Sequence, residues 1–197
     1  MRNLFIIITF VLFAGIYAAE DPVHYLQQPS TNSFSLVIDR SGSMNSGNAI
    51  SDAKKAVNHF IDEMRSGDQA NIIAFDNKVS VYSDMGTSKS SLKSAVGTIQ
   101  PGGSTALYDA IAKAATLIHS ESGARIIVFL TDGDDSASKF RLKDIKNMNL
   151  SEGIFIYGIG LGNVNKNAMD DLIGATGGVY YATSSSNDLY NIYDRVL

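Results

Sequence analysis

The chain has 197 residues, of which 45% are hydrophobic and 18% are charged, and it contains no cysteine. This length and composition predict one globular domain with an ordinary apolar core, held together without disulfide bonds. The formal net charge of −4 at pH 7 disfavours binding to the phosphate backbone of nucleic acids, and neither Lys-rich runs nor basic helical faces point the other way.

The N-terminal segment has the layout of a secretory signal peptide. Arg2 is followed by an apolar run from Leu4 to Ala14 and by small residues near Ala18, and this run is short for a membrane span of about 20 residues. We therefore predict a signal peptide over residues 1–18, with an uncleaved N-terminal anchor as the alternative. The expected location is secreted or periplasmic, without membrane insertion after cleavage, and the lack of disulfides favours a bacterial source.

Residues 19–33 contain two prolines and several small polar residues, which predict an extended linker. The folded domain is then expected to span residues 34–197, where apolar runs alternate with segments of helical periodicity. The predicted strands are Phe34–Asp39, Gln69–Phe75, Val79–Tyr82, Ala124–Leu130, Ile154–Gly160 and Val179–Ala182. The predicted helices are Ile50–Met64, Ser90–Val96, Ala106–Ser120, Ser138–Asn149, Asn167–Ala175 and Asn187–Val196.

This alternation predicts βαβ units with right-handed crossovers and a mainly parallel sheet. Asp76 and Asn77 form a two-residue connection between the second and third strands, which favours a hairpin with the third strand antiparallel at the sheet edge. The fold class is therefore α/β: a three-layer, doubly wound (Rossmann-like) sandwich with a mainly parallel sheet and one antiparallel edge strand.

A group of oxygen-bearing side chains follows the first predicted strand. Asp39, Ser41 and Ser43 stand at alternate positions after its apolar run, at the carboxyl end of the strand, where open α/β sheets bind their ligands. Oxygen ligands with hydroxyls in the majority suit a hard divalent cation such as Mg²⁺ better than zinc or copper. The alternative is a helix-capping turn, because Ser and Asp side chains accept hydrogen bonds from the free N–H groups at helix starts.

The pattern Asp39-x-Ser41-x-Ser43 resembles the DxSxS signature of von Willebrand factor type A (vWA) domains. Thr105, which follows a pair of glycines, and Asp132, which follows the fourth predicted strand, resemble the threonine and the aspartate that complete the family's metal-ion-dependent adhesion site. The three motifs occur in the family's order, and the resemblance covers the whole predicted domain. It implies the same doubly wound fold.

The resemblance also implies a role for each of these residues. Ser41 and Ser43 are expected to ligate Mg²⁺ directly, Thr105 to ligate it in the ligand-competent state, and Asp39 and Asp132 to act mostly through water, with Mn²⁺ or Ca²⁺ as substitutes. Because neutral hydroxyls only partly offset the charge of the cation, a Glu or Asp carboxylate from a partner protein is expected to complete the coordination. The expected function is a non-enzymatic protein-binding module.

Two other functions remain open at this level. One is a metal-dependent hydrolase, since a cation with an open coordination position activates water, although no general base or second metal is identifiable and the chain lacks a G-x-S-x-G elbow. The other is a scaffold in which the metal only stabilises the fold. His59 and His119 are expected on helix surfaces. Asp134 and Asp135 are expected to be solvated, with a position next to the metal ligands as the alternative.

Overall fold

The computed structural model describes residues 31–148, 153–162, 164–174, 176, 178–185 and 188–197. The predicted signal peptide and residues 19–30 of the predicted linker lie outside these ranges. None of the helices in the described ranges has the length and apolar character needed to cross a membrane.

The described residues form six β-strands and six α-helices. The strands are β1 (Asn32–Asp39), β2 (Gln69–Phe75), β3 (Val79–Gly86), β4 (Ala124–Thr131), β5 (Ile154–Leu161) and β6 (Tyr180–Thr183). The helices are α1 (Ala49–Glu63), α2 (Lys89–Thr98), α3 (Leu107–Ile118), α4 (Leu142–Lys146), α5 (Lys166–Ile173) and α6 (Asp188–Tyr193). A 3-10 turn, Gly42–Asn45, connects β1 to α1.

The strands form one sheet in the order β3-β2-β1-β4-β5-β6. Neighbouring strands are parallel except β3, which runs antiparallel to β2 at the edge. The doubly wound α/β fold predicted from the sequence is therefore confirmed, including its antiparallel edge strand. The chain moves outward in one direction from β1 and in the other from β4, so the strand order reverses between these two neighbours.

The central strand β1 has all eight residues buried, because helices cover both faces of the sheet. Its side chains alternate between two cores: Leu36 and Ile38 face the layer of α1, α2 and α6, whereas Val37 faces the layer of α3, α4 and α5. In the first layer the ring of Phe60 stacks edge-on against Phe34, with a centroid distance of 4.9 Å. The strand β1 is thus packed on both of its faces.

The fourth helix is shorter than predicted. The periodicity predicted a helix over Ser138–Asn149, but α4 spans only Leu142–Lys146; Asn149 lies outside the described residues. The backbone N–H groups of Lys139 and Phe140 both donate to Oδ1 of Asp109 at 2.9 Å. Because a carboxylate on α3 satisfies these donors, the chain ahead of α4 forms a loop against α3 instead of another helical turn.

Candidate metal centre

The three predicted motifs meet at the carboxyl edge of the sheet. Asp39 is the last residue of β1, Asp132 directly follows β4, and Thr105 lies two residues before α3. The register pairs Ile38 with Leu130, so the first residues beyond β1 and β4 leave the sheet side by side. The reversal of strand order at this point sends the two following connections to opposite sides and opens a crevice between them.

Asp39 is completely buried and held by two hydrogen bonds. Its Oδ1 accepts from the backbone N–H of Ser41 at 2.7 Å, and its Oδ2 accepts from Oγ1 of Thr131 at 2.6 Å. Burial raises the pKa of the Asp39 carboxyl above its ordinary value; the bonds from Thr131 and Ser41 act in the opposite direction, and the charge of Asp132 adds to the increase. The site therefore contains a carboxylate whose charge lacks a compensating cation among the described side chains.

The two serines and Asp132 form a short chain of oxygens. Oγ of Ser41 lies 3.0 Å from Oγ of Ser43, and Oγ of Ser43 donates to Oδ1 of Asp132 at 2.7 Å. Ser41 stands at the N-terminal cap of the 3-10 turn, but its side chain makes no capping bond. The hydroxyl of Ser43 is thus directed toward a carboxylate and that of Ser41 toward Ser43. Of the three side chains, Asp39 makes a bond of the kind that the capping alternative requires, because it accepts from the N–H of Ser41 ahead of the 3-10 turn.

Thr105 reaches the site through its loop. The N–H groups of Ser136 and Ala137, from the loop after β4, donate to the backbone oxygen of Thr105 at 2.9 and 3.0 Å. Its Oγ1 lies 4.0 Å from the point that a Cβ on Gly133 would occupy, so the hydroxyl faces the loop of Asp132. Among the described residues, hydrogen bonds connect the other four predicted ligands, whereas the hydroxyl of Thr105 shares none with them.

The donor set fits a hard cation of the size of Mg²⁺. Neighbouring ligands of an octahedral Mg²⁺ lie about 3 Å apart, given metal–oxygen bonds of about 2.1 Å. The separations of 3.0 Å between Ser41 and Ser43 and of 2.7 Å between Ser43 and Asp132 are close to this value, although they also suit direct hydrogen bonds. Across the described residues no group of three or more His, Cys, Asp or Glu side chains is placed to hold a metal ion, so the candidate set depends on its three hydroxyls as well as on its two carboxylates.

Access to the site is one-sided. Asp39, Ser41 and Thr105 are buried, while Ser43 is exposed and Asp132 is partly exposed. A cleft of about 340 Å³ opens beside these two residues. Its other lining residues are neutral, and they are Ser46, Asn48, Ala49, Leu161, Gly162 and Ser184.

Two predictions about neighbouring residues can be compared with the structure. The imidazole Nε2 of His59 lies 2.7 Å from Oδ1 of Asp194, between α1 and the end of α6. His119 follows the last residue of α3, at the opposite end of that helix from Thr105.

Asp134 and Asp135 are not simply solvated. Oδ1 of Asp134 accepts from the N–H of Asn165, and Oδ1 of Asp135 accepts from the N–H of Tyr108, so both carboxylates connect the Asp132 loop to other segments.

Sequence reasoning missed three residues that support the site. Thr131 orients Asp39, as described above, and the ion pair of Arg40 with Asp76 joins two of the loops at 2.5 Å. The position of Thr131 between a buried strand and the candidate Asp132 was an available signal, because the end of β4 was predicted to lie beside the end of β1. No pattern in the sequence pairs Arg40 with Asp76.

Comparison with known proteins agrees with this geometry. The family model for the von Willebrand factor type A domain matches residues 34–134, just over half of the chain. Among curated proteins, inter-alpha-trypsin inhibitor heavy chain H2 of Mesocricetus auratus is 25% identical over 189 residues, which cover 85% of this chain and 20% of that protein. Calcium-activated chloride channel regulator 4 of Homo sapiens is 26% identical and covers 83% of this chain and 18% of its own length. The chain thus spans about a fifth of these relatives.

Solved structures share the fold. A von Willebrand factor type A protein from Catenulispora acidiphila superposes with a TM-score of 0.78 and 21% identity, covering 85% of this chain and 42% of that one. Proximal thread matrix protein 1 from the mussel byssus, solved with a zinc-occupied MIDAS motif, has a TM-score of 0.75 and 22% identity, covering 85% and 45%. With the fold, the strand order and the family match in agreement, this chain belongs to the von Willebrand factor type A domain family.

Proposed function

We propose that this domain is an exported protein-binding module that holds a divalent cation, Mg²⁺ in the first place, at Asp39, Ser41, Ser43, Thr105 and Asp132. The cation would take a Glu or Asp carboxylate of a partner protein as its last ligand. The observation that carries the proposal is the convergence of hydroxyl and carboxylate oxygens from separate loops, with Ser43 as the link between Ser41 and Asp132.

The charge of the site supports this function. The two carboxylates of the set, Asp39 and Asp132, together carry as much charge as the cation. Each oxygen of Asp39, however, already accepts a hydrogen bond, one from Ser41 and one from Thr131. The hydroxyls that remain are neutral donors, and neutral ligands leave a divalent cation attractive to one more anionic oxygen. The same cation would relieve the unfavourable burial of the Asp39 charge.

The direction of access supports a protein ligand. Ser43 and Asp132 form the exposed side of the oxygen cluster and border the neutral cleft described above. A carboxylate that approaches from this side meets few other acidic side chains, whereas the buried side is closed by Thr131 and the β-sheet. A side chain of a partner protein can enter here with its flanking residues resting on the cleft.

Metal binding is tested first, by isothermal titration of the chelator-treated protein with MgCl₂ and, in parallel, MnCl₂, CaCl₂ and ZnCl₂. We expect saturable binding of Mg²⁺ that Thr105→Ala weakens about tenfold or more while the melting temperature in EDTA stays nearly unchanged, because this residue is held mainly through its backbone. Thr98→Ala on α2 removes a threonine hydroxyl outside the site, which donates to the backbone oxygen of Ala95 at 2.8 Å, and is the control. A wild-type protein that binds none of these cations would refute the proposal.

Partner capture is tested next, with immobilised wild type and Thr105→Ala exposed to the exported protein fraction in Mg²⁺ or in EDTA. Retention that requires both the cation and Thr105 is expected. If Mg²⁺ raises the melting temperature but the retained partner is the same in Mg²⁺ and in EDTA, the metal is structural only. If Mg²⁺ instead supports turnover of p-nitrophenyl esters or phosphates that Asp132→Ala abolishes, the domain is a hydrolase.

A further inference from the structure

The residue between the first two ligands of the DxSxS pattern makes a contact that the pattern does not require. Nη2 of Arg40 forms a 2.5 Å ion pair with Oδ2 of Asp76, in the turn between β2 and β3, and its Nη1 donates to the backbone oxygen of Gln100 at 3.2 Å. The side chain of Arg40 is 21% exposed and that of Asp76 is 10% exposed. One guanidinium thus joins three separate loops.

Backbone hydrogen bonds attach the loop that carries Thr105 on both sides of that residue. Arg40 accepts from the N–H of Gly102 at 2.7 Å, and Gly103 accepts from the N–H of Gly42 at 2.9 Å, which fixes the start of the loop to the DxSxS turn. At the other end, the backbone oxygen of Asp76 accepts from the N–H of Ala106 at 2.7 Å. Thr105 therefore lies between two points of attachment, one at the DxSxS turn and one at Asp76. The ion pair of Arg40 with Asp76 connects these two points directly.

Asp76 is itself held in place. Its Oδ1 accepts from the N–H of Lys78 at 2.7 Å, and its own N–H donates to the backbone oxygen of Lys78 at 3.0 Å. The two carboxylate oxygens therefore bind different groups: Oδ1 accepts a hydrogen bond within the turn between β2 and β3, and Oδ2 accepts one from Arg40. A carboxylate fixed in this way transmits the position of the β2–β3 turn to the DxSxS loop, because a short charge-assisted bond tolerates little displacement.

We infer that Arg40 and Asp76 are positioning residues that hold the loop of Thr105 at the distance from Ser41 and Ser43 that cation binding requires. The inference rests on the proposed function for its consequence on metal affinity, but the loop attachment itself is independent of any metal. Neither residue is a ligand. Their pairing sets the geometry in which the hydroxyl of Thr105 faces the loop of Asp132.

The sign of the effect separates positioning from simple electrostatics. A cationic side chain next to a cation site repels the metal, so its removal should tighten binding if charge alone matters, whereas removal of Asp76 should weaken it. Positioning predicts instead that Arg40→Gln and Asp76→Asn both weaken binding. It also predicts that the double variant, which keeps the net charge of the wild type, binds no better than either single variant.

The experiment measures Mg²⁺ affinity by isothermal titration for wild type, Arg40→Gln, Asp76→Asn, the double variant and Arg40→Lys. We expect a loss of about tenfold or more for each of the first two single variants. Arg40→Lys should lose less, because its ammonium retains the charge near Asp76 but lacks the planar fork that reaches Asp76 and Gln100 together. Asn at position 76 still accepts from the N–H of Lys78, so the turn is expected to fold.

A control and a metal-free measurement keep the result interpretable. Lys93→Gln removes a 2.7 Å ion pair with Asp62, between α2 and α1, and should leave Mg²⁺ affinity unchanged. Amide hydrogen exchange in EDTA should become faster at Gly102 and Ala106 in Arg40→Gln but not in Lys93→Gln.

Each outcome bears on the inference. Tighter binding in Arg40→Gln, or unchanged affinity with unchanged exchange, would overturn it while leaving the proposed function intact. If the wild type binds none of Mg²⁺, Mn²⁺, Ca²⁺ and Zn²⁺, the proposed function fails and the inference is judged from the exchange rates: acceleration at Gly102 and Ala106 supports the loop attachment, and unchanged rates refute it.

Discussion

Oγ1 of Thr131 donates a 2.6 Å hydrogen bond to Oδ2 of Asp39, which joins the last residue of β4 to the last residue of β1. The same hydroxyl accepts from the N–H of Gly133 at 3.3 Å. One side chain therefore orients the buried carboxylate of the first loop and also fixes the turn that carries Asp132. Because the strand order reverses between these two strands, the bond spans the crevice in which the candidate metal centre lies.

Replacement of this hydroxyl should damage the site more than the fold. In Thr131→Val the branched shape is kept but Asp39 loses a hydrogen bond to its charged form, which is worth about 1.5–3 kcal/mol when such a group is buried. We expect a lower free energy of unfolding in EDTA by about that amount, measured by urea denaturation, and weaker Mg²⁺ binding by titration calorimetry.

Two variants control this measurement. Thr131→Ser keeps the hydroxyl and should preserve most of the Mg²⁺ affinity, while Thr98→Val removes a hydroxyl from the exposed side of α2, where it bonds to Ala95. Equal Mg²⁺ affinity in wild type and Thr131→Val would show that Asp39 does not need this bond for its orientation.

The buried charge of Asp39 predicts a trade between stability and metal binding. Because burial raises the pKa of this carboxyl, the ionised form costs stability in the metal-free protein. Asp39→Asn removes the charge and leaves an amide oxygen that still accepts from the N–H of Ser41. We expect it to raise the free energy of unfolding in EDTA by an amount on the order of 1 kcal/mol, or about 2–4 °C in melting temperature for a domain of this size.

The same variant should lose the stabilisation that Mg²⁺ gives to the wild type. We therefore expect Asp39→Asn to melt at a higher temperature than the wild type in EDTA and at a lower temperature in excess MgCl₂. The measurement is differential scanning fluorimetry in both buffers, with Asp62→Asn as a control that removes an exposed carboxylate at the α1–α2 contact. A lower melting temperature for Asp39→Asn in EDTA would mean that the hydrogen bonds to the carboxylate outweigh the cost of its burial.

Apolar patterning was sufficient to predict the fold. Runs such as Gln69–Phe75 have the composition of strands covered on both faces, and the bounds of that strand agree with the structure. The hairpin at Asp76 predicted the antiparallel edge strand, because a connection of two residues permits few other arrangements. Where prediction failed, as ahead of α4, the deciding acceptor was the carboxylate of Asp109, about 30 residues away in sequence.

The candidate site was predictable only in part, for a related reason. Asp39, Ser41 and Ser43 belong to one local pattern, and the carboxyl ends of parallel strands lie at one edge by construction. By contrast, the bonds of Thr131 to Asp39 and of Arg40 to Asp76 depend on which side-chain atoms meet once the loops are packed. These pairings follow from the packed loops and have no periodic signature.

The loop that leads to Thr105 contains Gly103, whose backbone conformation and close contacts leave no room for a side chain. Its φ of +81° lies in the left-handed region, and a Cβ there would stand 2.7 Å from Oδ1 of Asn77 and 2.9 Å from Cβ of Asp76. Asp76 cannot easily move away, because Arg40 and the N–H of Lys78 hold its carboxylate. Gly103→Ala should therefore lower the free energy of unfolding by about 1–3 kcal/mol, measured by urea denaturation, and weaken Mg²⁺ binding.

Gly97 offers the matched control for this substitution. It lies in α2, and a Cβ built there has no neighbour within 4 Å. Because alanine is the better helix former, Gly97→Ala should raise the free energy of unfolding by about 0.5–1 kcal/mol without any change in Mg²⁺ affinity. If Gly103→Ala were as stable as Gly97→Ala and bound Mg²⁺ normally, the turn between β2 and β3 would have to yield, and the Thr105 loop would not depend on its close contact with Asp76.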